Sequence, residues 1–350
     1  MIIPKIKSMG RKQIGVMLFI MMVIIACSKD ELVIESLFAG FKKPAHFPEP
    51  TYNISGNPVT KEAFELGREL FYEPRLSRNN TISCGSCHIQ SSAFTQHGHD
   101  VSHGIDDRLG KRNSPPIMNL AWMPAFMWDG GVFDLDLQPI VPITAHEEMD
   151  ESLANVISKL QAHPYYPGLF KKAFGTDQIT TANFMKALSQ FMIMCVSAES
   201  KYDSVVQKIG NAAFTAEEAA GYKLVQQKCG SCHKEPLFTD NSFRNNGIGI
   251  GANNDMGRYD ITLNDADRYK FKVPSLRNLA YTAPYMHDGR FIRLDAVLDQ
   301  YSSNIQQTPN LDPLLQNNLA LSATEKQQVL AFLNTLNDKN FINNKLLSEQ

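Results

Sequence analysis

The chain has 350 residues, 34 Lys and Arg against 36 Asp and Glu, and 20% charged residues. That balance is ordinary for a globular chain, and no basic stripe argues for nucleic acid as a partner. Six cysteines, four of them in two repeated motifs, exclude a disulfide framework, and the length suits two domains behind a leader.

Lys5, Lys7, Arg11 and Lys12 precede an apolar run from Ile14 to Ile25, too short to span a bilayer comfortably and shaped like a secretory signal. The run ends in Ile24-Ile25-Ala26-Cys27, which resembles a bacterial lipobox. Residues 1–26 are therefore predicted to be a lipoprotein signal peptide and Cys27 the acylated first residue of the mature chain. An uncleaved anchor helix is the alternative. Either way the globular part is expected outside the cytoplasm, in the periplasm or cell envelope, and the lipobox reading has it held to a membrane through the lipid. Residues 27–59 are rich in Pro, Gly and Asn without helical periodicity and read as a tether and lead-in.

Thr60 is placed to cap a helix whose inner face is Phe64, Gly67, Leu70 and Phe71, ending before Pro74 and delivering the chain to Cys84-Gly85-Ser86-Cys87-His88. Asp150 is expected to cap another, with Leu153, Val156, Ile157 and Leu160 at helical spacing. A stripe of Phe184, Leu188, Phe191 and Cys195 predicts a third, with Cys195 as buried packing. A joint near Lys201 to Asn211 follows. Thr215-Ala216-Glu217-Glu218 is a capping box opening a helix through Tyr222 and Val225 into Cys229-Gly230-Ser231-Cys232-His233, and Ser322-Ala323-Thr324-Glu325 opens a last helix with Val329, Leu330, Leu333 and Leu336 on one face. Helix followed by C-x-x-C-H thus occurs twice, and no run of alternating strands appears. The prediction is a mainly α fold of two cytochrome-c-like domains with long loops, residues 60–204 and 205–345.

Chance would place about 0.003 C-x-x-C-H motifs in a chain of this composition, so two copies carry information. Two thiols at that spacing add to the two vinyl groups of one haem, and the adjacent histidine supplies the proximal ligand. Cys84, Cys87 and His88 are thus expected to hold one covalent c-type haem, and Cys229, Cys232 and His233 a second. A thioredoxin-like redox pair needs no trailing histidine, and zinc knuckles would need further ligands nearby.

The segments "GRELFYEPRLSRNNTISCGSCH", "KRNSPPIMNLAWMPAFMWDGG", "EEM", "KCGSCH", "PLFTD" and "VPSLRNLAYTAPYMHDG" resemble those of the bacterial di-haem cytochrome c peroxidases and their MauG-like relatives, over roughly residues 60 to 340. The resemblance implies a peroxide-reacting N-terminal haem, a C-terminal haem that handles electrons, and a calcium ion and a tryptophan near the domain interface. It implies Trp128 as the tryptophan, Glu148 as the distal acid with Glu147 beside it, and Gln138 as a second distal polar residue. It also implies Asn113 as the side-chain calcium ligand, with Thr282 and Pro284 giving carbonyls; oxygen-only donors suit calcium. Ile105 stands where classical members carry a distal histidine, with His103, His97 and His99 nearby. Tyr301 stands at the position of the second haem's sixth ligand, Met286 being the rival. Both departures are MauG-like, and a phenolate favours higher-valent iron where a thioether favours ferrous iron.

The first function implied is an oxidoreductase that reduces hydrogen peroxide to water with electrons from a small external redox protein. The alternatives are a MauG-like enzyme that oxidises side chains of a protein substrate, and a plain electron-transfer cytochrome with both irons closed.

Overall fold

In the computed structural model, residues 38–251 and 253–350 are described; the leader and Cys27 lie outside them. Helices and long loops make up nearly all of this part. The first half contains α1 (Lys61–Phe71), the motif turn α2 (Cys84–Cys87), α3 (Ile140–Thr144), α4 (Leu153–Ala162), α5 (Tyr166–Phe174) and α6 (Thr181–Met194). The second contains α7 (Lys201–Val206), α8 (Ala216–Lys228), α9 (Tyr259–Thr262), α10 (Leu294–Ser303), α11 (Ala323–Asn334) and α12 (Lys339–Ile342). Two short strands, β1 (Phe243–Arg244) and β2 (Phe271–Lys272), pair antiparallel with Phe243 opposite Lys272.

Each half is built on one crossing of two helices, α1 on α6 and α8 on α11. Both crossings depend on a glycine. A Cβ at Gly67 would lie 1.9 Å from the Ala187 carbonyl oxygen, and one at Gly221 would lie 1.8 Å from that of Gln328. One turn further along the partner helix stands a buried phenylalanine, Phe191 or Phe332. Phe191 packs on Phe71 at 4.7 Å and on Phe94 at 6.2 Å; Phe332 packs on Tyr222 at 5.0 Å and on Phe238 at 6.0 Å.

The caps at Thr60, Thr215 and Ser322 form as the sequence predicts, and Cys195 is fully buried, its thiol 3.6 Å from the Phe191 carbonyl. The cap of α4 is Ser152 rather than Asp150. Asp150 is drawn away by Arg78 and Arg108, at 3.1 and 2.9 Å, and its φ of 48° points the backbone elsewhere. The expected joint is helical over α7, and its Tyr202 belongs to the core around Phe332 and Phe238. Arg277, with no exposed surface, grips Asp203 with both terminal guanidinium nitrogens at 2.9 and 2.7 Å. His46 and Phe47 of the lead-in close over that pair. Truncating one member of such a buried pair costs about 3–5 kcal/mol. The C-terminal residues return to the first half, where Phe341 packs 5.6 Å from Phe94 and the Leu346 carbonyl accepts from Arg68.

A second repetition follows the C-x-x-C-H motifs, its two copies matching each other residue for residue. Asn119 matches Asn278, Met127 matches Met286 and Gly130 matches Gly289, and all six have positive φ. The bridge Phe126–Val132 matches Tyr285–Phe291. In this register Asn113 corresponds to Lys272 and Trp128 to His287. The two copies meet reciprocally: Asn113 N–H donates to the His287 carbonyl and Lys272 N–H to the Trp128 carbonyl, both at 2.7 Å. Reciprocal contact between equivalent residues is the mark of a local two-fold relation.

Gly221→Ala tests the helix crossing. Alanine favours an isolated helix by about 1 kcal/mol, but here the methyl meets the backbone of α11, and overpacking of this kind costs about 1–3 kcal/mol. Denaturant unfolding of the holoprotein is expected to show net destabilisation; an unchanged or raised midpoint would contradict the crossing.

Candidate functional site

Both motif histidines are held in the same way. His88 Nδ1 lies 2.7 Å from the Phe94 carbonyl, and His233 Nδ1 lies 3.1 Å from the carbonyls of Phe238 and Pro274. A carbonyl only accepts, so Nδ1 carries the proton in each ring and Nε2 is left with its lone pair, the tautomer a metal requires. Burial lowers both imidazoles below the usual histidine value, which keeps them neutral. Phe94 and Phe238 are buried and have φ of 60° and 53°, a conformation that costs a bulky residue about 1–3 kcal/mol. Both turn their carbonyls onto a histidine. Thr95 and Thr239, the next residues, tie this turn to the following segment through Ser114 and Val273. Phe94 and Phe238 were not among the residues singled out from sequence, although Phe-Thr follows each motif.

The four motif cysteines are free of disulfides. Burial raises the Cys84 thiol to about 12 and those of Cys87 and Cys229 to about 11. Thiols so far from ionisation do not suit a reactive redox pair.

Cys84, Cys87 and His88 line a cavity of about 450 Å³, a size in the range of cofactor sites. Phe71, Ile117, Leu120 and Met192 give it apolar walls, and Glu148, Gln138, Trp128 and Asn113 also reach it. With a free histidine Nε2, two thiols and apolar walls in one place, the residues fit a covalent haem. Burial, then the neighbouring Glu147, raises the Glu148 carboxyl above the usual glutamate value, so it keeps a proton to higher pH than an exposed carboxyl. Glu147 is exposed at the cavity rim. Gln138 follows a single turn of 3-10 helix and points its amide at Met127 Sδ, 3.7 Å away.

Glu148 is positioned by a neighbour that sequence reasoning passed over. A Cβ at Gly104 would lie 2.1 Å from the Glu147 carbonyl oxygen and 2.6 Å from Glu148 Cα, so only glycine lets the two segments touch. The next residue, Ile105, donates its N–H to the Glu148 carbonyl at 2.9 Å and buries its side chain. His103 turns to Asp107 at 3.3 Å and to the His99 ring, and His97 to Ser92. None of these three histidines lines the cavity.

Trp128 donates its indole N–H to the Asn113 carbonyl at 2.8 Å. The Asn113 side-chain amide donates to the Asp100 carbonyl at 3.1 Å, leaving its Oδ1 as an acceptor. Thr282 and Pro284 are buried on the segment leading to His287, whose carbonyl takes the Asn113 N–H.

At the second centre both candidate sixth ligands converge on one amide. Asn246 Nδ2 lies 3.1 Å from the Tyr301 hydroxyl and 3.5 Å from Met286 Sδ. Burial pushes the Tyr301 phenol up to about 12, partly offset by the Asn246 hydrogen bond, and Cys229 and Cys232 lie close enough to add to the rise.

The family model for di-haem cytochrome c peroxidases matches residues 61–211. The chain is 38% identical over 313 residues to the methylamine utilization protein MauG of Methylorubrum extorquens, covering 86% of this chain and 84% of that protein. It is 33% identical over 293 residues to the cytochrome c551 peroxidase of Nitrosomonas europaea, with 82% and 84% covered. The crystal structure of a MauG-like protein associated with microbial copper homeostasis superposes with a TM-score of 0.80 at 33% identity, over 89% of this chain and 99% of that one. The diheme peroxidase BthA of Burkholderia thailandensis shares the fold, with a TM-score of 0.72 at 20% identity over 84% and 91% of the two chains. The chain therefore belongs to the di-haem cytochrome c peroxidase family, and its mainly helical fold and two c-type haems go with that membership.

Mass spectrometry of the exported protein is expected to show two covalent haems, and changing both Cys229 and Cys232 to Ala to leave one. One haem or none on the exported wild type would contradict this account of the motifs.

Proposed function

We propose that the chain is a di-haem peroxidase that reduces hydrogen peroxide to water, using electrons from a small external redox protein. Family membership supports the class of reaction, and the observation that carries it to these residues is the half-buried Glu148 carboxyl on the wall of the cavity that His88 also lines. Each turnover takes up two electrons and two protons and makes two water molecules from one peroxide. When bound, the haem irons supply the electron exchange. Glu148 holds a proton beside the first haem and delivers it to the departing oxygen, so that this leaves as water. Ile105, where a histidine would compete for the iron, offers no imidazole to a haem that His88 would hold, and Gln138 would add a second polar group to the cavity. Trp128 lies on the route between the two centres, its indole N–H fixed on Asn113.

Asn113 Oδ1, with the carbonyls of Thr282 and Pro284, offers oxygen donors of the kind calcium takes, and we assign them to that ion. Tyr301, held by Asn246, is assigned as the sixth ligand of the second haem. Covalent haem attachment and the lipobox-like leader support a location outside the cytoplasm, and we assign Cys27 as the lipid anchor; no helix among the described residues is long and apolar enough to cross a membrane.

Because burial raises the Glu148 carboxyl, the reaction with peroxide is expected to slow as pH rises through that elevated value, where the donor loses its proton. Glu148→Gln is expected to slow stopped-flow oxidation by peroxide about 10²-fold and to remove that pH-dependent limb. A wild-type rate in the variant would overturn the assignment.

A second reading, oxidation of side chains on a protein substrate, draws support from Tyr301 and Ile105 together. If Tyr301 is the ligand, Tyr301→Phe changes the resting optical spectrum of the second haem. An untouched spectrum would move the ligand to Met286 and remove the main support for this reading.

A further inference from the structure

Three basic residues line the first cavity, Lys111, Arg112 and Lys272. Lys111 is exposed, and Arg112 is engaged by Asp129 and by Asp255 at 2.6 Å. Lys272 differs from both. Its ammonium donates to the Ala125 carbonyl at 2.9 Å and approaches Met123 Sδ at 3.8 Å, and it forms no ion pair among the described residues. The one acid close enough to influence it is Asp129, already held by Arg112. The side chain keeps some accessible area because its open side is the cavity itself. An ammonium with only neutral partners inside a protein is costly, and a carboxylate brought in by the ligand would relieve that cost. Haem carries two propionates on one edge.

On the reading of this cavity as the site of the haem attached through His88, we infer that Lys272 is the counter-charge for one of that haem's propionates, contributed across the interface by the second half of the chain. The backbone explains why this residue can reach. Lys272 N–H is fixed on the Trp128 carbonyl at 2.7 Å, so β2 lies against the first half with its lysine aimed into the first cavity. Two residues on, the Pro274 carbonyl accepts from His233. One short segment thus orients the proximal histidine of the second haem and sets a positive charge beside the first. The equivalent residue in the other copy of the repeat is the neutral Asn113, so the repeat supplies this lysine once. A fixed cation at the haem edge stabilises the ferrous state, which carries one more negative charge, and raises that haem's reduction potential.

The test is a potentiometric titration of the holoprotein, followed optically, for wild type and for Lys272→Gln, Lys272→Met and Lys272→Arg, with haem content measured alongside. The expected result is a downward shift of the midpoint potential of the His88 haem in the Gln and Met variants, no shift of the His233 haem, and a wild-type value in the Arg variant. If the neutral variants lose the first haem, retention of both haems at the wild-type potential by Lys272→Arg supports the role of charge, and loss in the Arg variant as well overturns it. Two haems with unchanged potentials in both neutral variants overturn the proposal, as does a shift confined to the second haem. A wild type with fewer than two covalent haems would instead overturn the haem reading on which the proposal rests.

Discussion

Two backbone hydrogen bonds hold the halves of this molecule in register. Asn113 donates to His287 and Lys272 to Trp128, and because the partners are equivalent positions of one internal repeat, each bond implies the other. Everything set between the two centres depends on this pair. It brings Trp128 beside the segment that carries Lys272, and Asn113 beside the segment that carries Thr282, Pro284 and Met286. A chain that lost this register would part Trp128 from Lys272 and Asn113 from the His287 segment.

Within each half the governing constraint is the proton on a histidine nitrogen. The two motifs fold alike because a phenylalanine in a left-handed conformation offers its carbonyl to Nδ1. The strain is offset by burying each ring against the same aromatic cluster that packs the helix crossing, Phe191 in one half and Phe332 in the other. Beyond that shared frame the halves diverge in what they place across from the histidine. The first sets a carboxyl raised by burial and an amide around a cavity. The second sets a tyrosine and a methionine on a single asparagine. One frame thus carries two different sets of side chains across from its histidines.

Much of this was legible in the sequence, and what was missed has physical reasons. The caps at Thr60, Thr215 and Ser322 and the apolar stripe through Cys195 are local signals, and they fold as read. Asp150 failed as a cap because two arginines distant in sequence take its carboxyl. The helical α7 escaped because what holds it, the Asp203 pair with Arg277 and the seating of Tyr202, is made by residues from other parts of the chain. Glu148, Gln138, Trp128 and Asn113, named through a family resemblance, come together on one cavity. Gly104 did not stand out, since a glycine needed for close approach between segments looks in sequence like any loop glycine. The repeat joining Asn119-Leu120-Ala121-Trp122 to Asn278-Leu279-Ala280-Tyr281, and Met127-x-Asp129-Gly130 to Met286-x-Asp288-Gly289, is written in the chain. Its meaning depends on Trp128 and His287 occupying one position, which only the reciprocal hydrogen bonds make plain.

On the proposed reading, two copies of one frame hold two haems in different states and act as one oxidising unit. Electron paramagnetic resonance of the resting ferric protein, repeated after one equivalent of hydrogen peroxide, tests it most directly because it resolves each iron. The account requires one high-spin signal from the open first centre and one low-spin signal from the second, both diminishing together when peroxide is added. Two low-spin signals that ignore peroxide would contradict it and leave an electron-transfer cytochrome with both irons closed.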